Sequence, residues 1–579
     1  MGAKPAGLNN FSAKGEFKLV LFIFNNYSSK YRNMLYKFKS HLDIGSLDAE
    51  NDDFLMNSFV EISYLPLLLE KNQKSILLGR TGIGKSALIR YLVEKQEHVS
   101  RINPEAMSLR HLSNSTIIKY FNSLDVKLDL FYKVLWKHVF IVEIIKLKFG
   151  KNLDQSNQIL EWFKNKFPDR KKKKAIEYLE RWENHFWENT EHRIKEIETN
   201  LEKKYKEEVG ISGDLEDFIK LNCSFSKEDI DKKKIKTEFL HKAQKVVNEV
   251  QIEEIEEIMN LLQNDIFKGD SKKYFIVIDD LDKDWVDNSL VYDLIKSLIE
   301  TIKDFSRVPN VKIVVALRTN IFKKIFSRNS NRGFQREKYN QILIDLEWNK
   351  ETLEELLSKR LKVLMKDTYT NNTPKIDEVL PAKTPNSERG FDYMLKRTSM
   401  RPRDIIDFFN KCIKHADGQT KITMPIIRSA EVEYSNERLR ALHDEWLENY
   451  GNIEIIHGFL KNGNPNFKLS DVYERGSEYF LSIVAQNKDM DLSNGIRETF
   501  LEYKTNLDPT NLIKKCLILL YEIGMIGIKQ SSESKTEYIE SSSSPYESSD
   551  INEDETKFYI HPMYHEALRI KKKSSLISR

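Results

Sequence analysis

A chain of 579 residues exceeds what one hydrophobic core organises, and at roughly 150 residues per unit it implies about three or four folding units. Apolar residues at 40% and aromatics at 11% supply cores, and charged residues at 31% suit a soluble protein with long exposed helices, which excludes a wholly disordered or membrane-embedded chain. The 92 basic and 88 acidic residues leave a formal charge of +4, so net charge alone argues for no nucleic-acid or membrane partner.

At the N-terminus, Lys14 and Lys18 precede a short apolar run from Leu19 to Phe24. It lacks the length and the small-residue cleavage site of a secretory signal, so residues 1–42 read as an extension, a strand or an amphipathic tail. Neither this run nor Cys516 to Tyr521 approaches the ~20 residues that cross a bilayer. Cys223, Cys412 and Cys516 are scattered, with no disulfide framework and no Cys-x-x-Cys pair, which predicts a reducing, cytoplasmic location.

Residues 75–92 give an apolar run, a glycine-rich turn and then apolar residues at helical spacing. The turn reads Gly79-Arg80-Thr81-Gly82-Ile83-Gly84-Lys85-Ser86, followed by Ala87. Gly79, Gly82 and Gly84 let the backbone turn tightly and aim N–H groups inward, and the helix that follows adds its positive end, so the segment predicts a polyphosphate cradle. Lys85 is the expected contact for the β and γ phosphates, and Ser86 offers a hydroxyl to Mg²⁺. The competing reading, a glycine-rich turn with no ligand, does not account for the full octet between a strand and a helix.

Far more chain separates this loop from the next strand than one helix and one strand need, which predicts an insertion over residues 151–270. It reads as helical. Ile176, Leu179, Trp182, Phe186, Ile194, Ile197, Leu201 and Tyr205 recur at three- and four-residue intervals with one gap of eight, and the segment around Ile252, Ile255, Met259 and Leu262 is the expected partner of that arm. The basic runs Arg170 to Lys174 and Lys232 to Lys234 read as solvated helix faces, with phosphate contact as the alternative.

Tyr274 to Asp282 supplies five continuous apolar residues ending in acids, the pattern of a buried parallel strand. Asp279 is the expected Mg²⁺ partner and Asp280 the group that polarises the attacking water; Asp282 and Asp284 suit capping of the next helix. The strand Val311 to Arg318 follows, and strand ends on one edge of an open parallel sheet meet the ligand, which makes Arg318 a candidate γ-phosphate sensor. No Asn-Lys-x-Asp element is present to read guanine, so ATP is expected rather than GTP.

The nucleotide core is expected over residues 43–150 and 271–350, with a strand at Gln341 to Trp348. A helical lid is expected over 351–435. Within it, Arg401-Pro402-Arg403-Asp404 opens a helix, proline and acid both suiting a first turn, and Arg401 or Arg403 is placed either to reach the nucleotide or to cap and pair locally. Residues 436–579 read as helices and a two-stranded edge, winged-helix-like, with a serine- and acid-rich tip from 531 to 556 expected to lack fixed structure. An acidic tip repels phosphates. His561 and His565 stand four apart, with local packing favoured over a metal.

Taken together, Gly-Arg-Thr-Gly-Ile-Gly-Lys-Ser, Ile-Asp-Asp-Leu-Asp-Lys-Asp-Trp, Ala-Leu-Arg-Thr-Asn, Leu-Glu-Trp and Arg-Pro-Arg-Asp resemble an uncharacterised bacterial P-loop ATPase family of prophages and defence islands, related to the STAND and KAP ATPases. The resemblance implies an α/β P-loop core of the ASCE type with a helical lid and a winged helix. It further implies Arg318 as γ-phosphate sensor, His561 near the diphosphate, and an antiviral or mobile-element role. Such enzymes oligomerise or act through a partner effector, and Arg328, Arg332 and Arg336 stand where a neighbour's arginine finger is commonly placed. No repeat array or appended effector is visible in the sequence, unlike signal-sensing members. The expected function is an ATP-driven switch; the alternatives are a DNA-binding loader like the origin-recognition ATPases, and a scaffold that holds nucleotide without turnover.

Overall fold

Apolar runs without alternation make strands buried on both faces. The strands β1 (Ile76–Gly79) and β3 (Tyr274–Ile278) are buried at every position, and β4 (Val311–Arg318) is buried from Ile313 to Leu317. With β2 (Val99–Ile102) and β5 (Leu343–Asp345) they form a five-stranded parallel sheet in the order β2-β3-β4-β1-β5. The computed structural model describes residues 36–70, 74–104, 128–149, 178, 252–281, 285, 288–327, 336–368, 374–447, 450, 452–485, 494–506, 508–539 and 546–571. Because β4 lies between β1 and β3, Arg318 is in register with Gly79 and the ends of all three strands share one edge.

The sheet belongs to a unit spanning residues 61–347. Its helices are α1 (Tyr64–Leu69), α2 (Lys85–Lys95), α3 (Asp129–Phe149), α4 (Ile252–Leu261), α5 (Asn288–Phe305) and α6 (Thr319–Ser327). Trp136 on α3 is fully buried and donates its indole N–H to the Leu294 carbonyl of α5 at 2.9 Å, while Phe140 meets Phe305 edge-on at 5.3 Å. Ile255, Ile258 and Met259 of α4 belong to this same core. The segment around Ile252 to Leu262 thus packs with α3 in the core of this unit. Of the arm only Tyr178 is described; its hydroxyl meets His138 Nδ1 of α3 at 2.7 Å. The rest of the arm and both basic runs lie outside the described residues, as do residues 1–35, Cys223, Asp282 and Asp284.

The second unit contains the described residues of 36–60 and 348–571. Residues 43–60, expected to begin the nucleotide core, belong here. The reason is burial and charge: Phe38, Ile44 and Leu55 are buried, and Asp52, 2% exposed, pairs with Arg360, 3% exposed, on α7 (Lys350–Thr368). Asn410 accepts from the Ile44 N–H at 2.9 Å and donates to the Gly45 carbonyl at 3.1 Å. The helices α8 (Pro402–His415) and α9 (Met424–Trp446) pack together, Phe408 stacking on Tyr434 at 4.6 Å. Proline occupies the first turn of α8, as its sequence dictates.

Then come α10 (Ile453–His457), β6 (Asn466–Lys468), α11 (Leu469–Ala485), α12 (Asn494–Asn506), α13 (Thr510–Glu522), β7 (Ile526–Lys529) and β8 (Lys557–Ile560). The three strands form an antiparallel sheet ordered β6-β8-β7, one strand more than the expected pair. The tip also differs from expectation in its described parts. Ile528 bridges Glu537, the Tyr546 hydroxyl donates to Glu537 at 3.0 Å, the Tyr546 ring meets Tyr521 at 5.2 Å, and Ile551 is 5% exposed. Two tyrosines and one isoleucine suffice to anchor a polar tract. Among the described residues no helix is long and apolar enough to cross a membrane, and Cys412 and Cys516 are buried free thiols.

Candidate functional site

The site stands on the edge where β1, β3 and β4 end. Gly82 and Gly84 adopt φ values of 80° and 103°, left-handed geometry that glycine takes without the Cβ penalty. Gly84 directly precedes α2, so the loop leads straight into the positive helix terminus. Gly79 is required for another reason: a Cβ there would lie 2.6 Å from the Ile83 side chain. The Lys85 amine folds over the loop and donates to the carbonyls of Gly79 at 2.9 Å and Arg80 at 3.0 Å. Arg80, Thr81, Ser86 and Ala87 are part-exposed along the loop and first turn, and Ile83 is buried beneath it.

Across from the loop, Asp279 is 6% exposed. Burial raises its pKa above the ordinary carboxylate value and the neighbouring Asp280 adds to the rise; a hydrogen bond from Ser86, the Asp280 N–H and the Lys85 charge oppose it. The Asp280 N–H donates to Asp279 Oδ1 at 2.9 Å. Asp280 itself leaves the strand with φ 62°, which turns its side chain to a part-exposed position 3.7 Å from the guanidinium of Arg101 on β2. Lys85, Ser86 and Asp279 are thus brought together, with Asp280 beside them and Arg318 in register with Gly79. Sequence reading missed Arg101. Its only signal is a basic residue inside the short strand Val99-Ser100-Arg101-Ile102, and its meaning depends on β2 pairing with β3.

Ser86 Oγ and the Asp279 carboxylate are hard oxygen donors that suit Mg²⁺. A buried carboxylate whose charge is disfavoured by its surroundings gains most from a cation, so these two residues fit the ion.

Arg401 and Arg403 lie in the second unit. Arg401, 7% exposed, donates to Asp404 through Nε at 2.9 Å and Nη2 at 3.2 Å, and stands 3.8 Å from Glu445. Burial opposes ionisation of Asp404, yet Arg401 and Arg438 hold it below the usual carboxylate range. Burial, Arg401 and Arg438 lower the pKa of Arg403, against the opposing pull of Asp404 and Glu445. His561 Nδ1 accepts from the Met563 N–H at 3.2 Å and His565 Nε2 meets the Ile560 carbonyl at 2.9 Å, so both are used locally. Among the described residues no group of three metal-ligating side chains occurs. Arg328, Arg332 and the side chain of Arg336 lie outside the described residues.

Residues 351–443 match the family of FunZ-associated C-terminal helical domains. The chain is also similar to the transposon gamma-delta 80.3 kDa protein of Escherichia coli (strain K12), with 22% identity over 536 residues. That alignment covers 90% of this chain and 66% of the relative, so the chain spans just under two thirds of the length of the protein it matches. Among solved structures, Cdc6p from Pyrobaculum aerophilum aligns over 87% of this chain and 89% of its own, at 13% identity and a TM-score of 0.23, too low a likeness to bear on fold or function.

Proposed function

We propose that this chain is an ATP-binding and hydrolysing switch, a STAND-like P-loop ATPase working with Mg²⁺. The observation that carries the reading is the meeting of Ser86 with the buried Asp279 beneath a glycine loop that Lys85 crosses. In this reading the loop N–H groups and Lys85 bind the β and γ phosphates, and Arg80, Thr81 and Ala87 complete the cradle. Ser86 and Asp279 hold Mg²⁺, which neutralises phosphate charge when bound. Asp280 orients a water and accepts its proton as the water oxygen bonds to the γ-phosphorus and the bond to the β-phosphate oxygen breaks, giving ADP and phosphate. Arg318 stabilises charge on the γ-phosphoryl oxygens.

Arg401 and Arg403 are the candidates for a second sensor; within its own unit Arg401 is already paired with Asp404 and stands beside Glu445. The order β6-β8-β7, with α11, α12 and α13 between β6 and β7, supports a winged-helix reading of the C-terminal module. A mobile-element setting takes its support from the similarity to the transposon protein, and an antiviral one from the sequence resemblance alone. Assembly with further copies or with an effector protein is part of the same proposal.

The test is ATP hydrolysis by the purified chain with and without Mg²⁺. Turnover that needs Mg²⁺ and disappears in Lys85→Ala supports the switch. ATP binding without turnover under every condition sinks the hydrolytic part and leaves a nucleotide-dependent scaffold.

A further inference from the structure

Three lysines stand in one row across the small sheet. Lys557 on the central strand β8 is in register with Lys468 on β6 and with Lys529 on β7. Residues in register on antiparallel strands project from the same face, and like charges placed so are destabilising. The adjoining row, Phe467, Phe558 and Ile528, is buried, so the lysines occupy the opposite face. Lys557 is exposed, Lys468 and Lys529 are half-buried, and among the described residues no carboxylate forms an ion pair with any of the three ammonium groups, the Asp471 carboxylate accepting instead from the Lys468 backbone N–H at 2.8 Å. Of the acids of the tip, Glu553 is engaged by Lys514 on α13 at 2.8 Å and Glu537 accepts from the Tyr546 hydroxyl at 3.0 Å.

Three like charges in line, with no ion-pair partner among the described residues, make a basic row. We propose that this row is a contact surface for the phosphate backbone of duplex DNA. Strand spacing of about 4.8 Å sets three ammonium groups along a line of roughly 10 Å, which suits successive phosphates of a linear polyanion better than one isolated phosphate. A lipid surface is the poorer match. None of the exposed large apolar residues lies on this sheet, so nothing there inserts into a bilayer. The partial exposure of Tyr559 and the exposure of Asn466, on the same face one row away, add hydrogen-bonding groups beside the charges. This inference is independent of nucleotide hydrolysis.

The test measures binding of a short fluorescent duplex to the full chain without nucleotide, across a salt series. Replacing all three lysines by glutamine should weaken binding at low salt by at least tenfold and lower the slope of log K against log salt by about 2.7, at ~0.9 per lost phosphate contact. The melting temperature should not fall, because the replacement removes repulsion, and the triple arginine variant should bind like the parent. Lys557→Gln alone, at the exposed centre, should lower the slope by about 0.9 and keeps the test open if the triple variant folds poorly. An unchanged slope in Lys557→Gln, no binding by the parent chain at low salt, or loss of binding to anionic vesicles with duplex binding intact would each overturn the proposal.

Discussion

Asp52→Ala should loosen the second unit by about 3–5 kcal/mol, the range for stripping one partner from a buried ion pair. The magnitude follows from what the Arg360 guanidinium would retain. It is 3% exposed, its Nη1 donates to the Ile44 carbonyl at 2.9 Å and to Asp52 Oδ1 at 3.4 Å, and its Nη2 is bound by Asp52 Oδ2. Without the carboxylate a full charge stays buried with one neutral acceptor, and the N–H groups of Ser46 and Phe54 lose the Oδ1 they reach at 3.2 Å. The pair lies so close against Gly45 that a Cβ there would clash with both Nη1 and the Asp52 carboxylate. Native-state hydrogen exchange of the α7 amides reads the effect directly, and 3 kcal/mol corresponds to roughly 150-fold faster exchange. Replacing both residues by apolar ones, Asp52→Leu with Arg360→Met, should recover much of the loss. Acceleration of less than about fivefold in Asp52→Ala would refute the assignment of residues 43–60 to this unit's core.

Two further expectations concern pH. Burial raises the pKa of Asp279 in the folded protein, so its contribution to stability is present below the unfolded carboxylate value of about 3.9 and is lost as pH rises through the folded value. Asp279→Asn should therefore melt higher than the parent at neutral pH without ligands while losing Mg²⁺-dependent turnover, and a lower melting temperature would contradict the account. His457 behaves in the opposite sense: burial, then His443 and Lys461, push its pKa to about 3, and its Nε2 lies 2.9 Å from that of His443, itself lowered by burial despite Glu454. The unfolded chain takes up protons near pH 6.5 that the folded one refuses, so the second unit's stability should be complete above that value and decline towards pH 3. His457→Phe should flatten this dependence in denaturant titrations between pH 7 and 5; an undiminished slope would remove His457 as its source.

The elements that were legible in the sequence are those whose physics is local. The glycine octet dictates its own turn, five apolar residues ending in Asp279 dictate a buried strand, and Pro402 dictates where α8 starts. The elements that were not legible depend on partners far away in the chain. Asp52 and Arg360 are separated by 308 positions, and neither has meaning without the other. Arg101 matters only through the pairing of β2 with β3. The strand β6 has one apolar residue in three and exists because β8 supplies its hydrogen bonds, while the tip gains order from Tyr546 on Tyr521, a contact that composition cannot express.

The two acids after β3 look equivalent in sequence, yet their environments separate them. Asp279 continues the strand into the interior, where Ser86 donates to it; Asp280 turns out through a left-handed backbone that costs of order 1–3 kcal/mol for most side chains and least for aspartate and asparagine. That geometry makes Asp280→Asn a clean probe, since the replacement tolerates the same backbone. The ion pair with Arg101 joins side chains 28% and 43% exposed at 3.7 Å, so its loss should change stability by no more than about 1 kcal/mol. Turnover should nonetheless fall by about 10²- to 10⁴-fold, as removal of a general base requires, with ATP binding retained. A melting temperature equal to the parent's together with full turnover would mean that Asp280 only shapes the turn, and the water would then have to be oriented by another group.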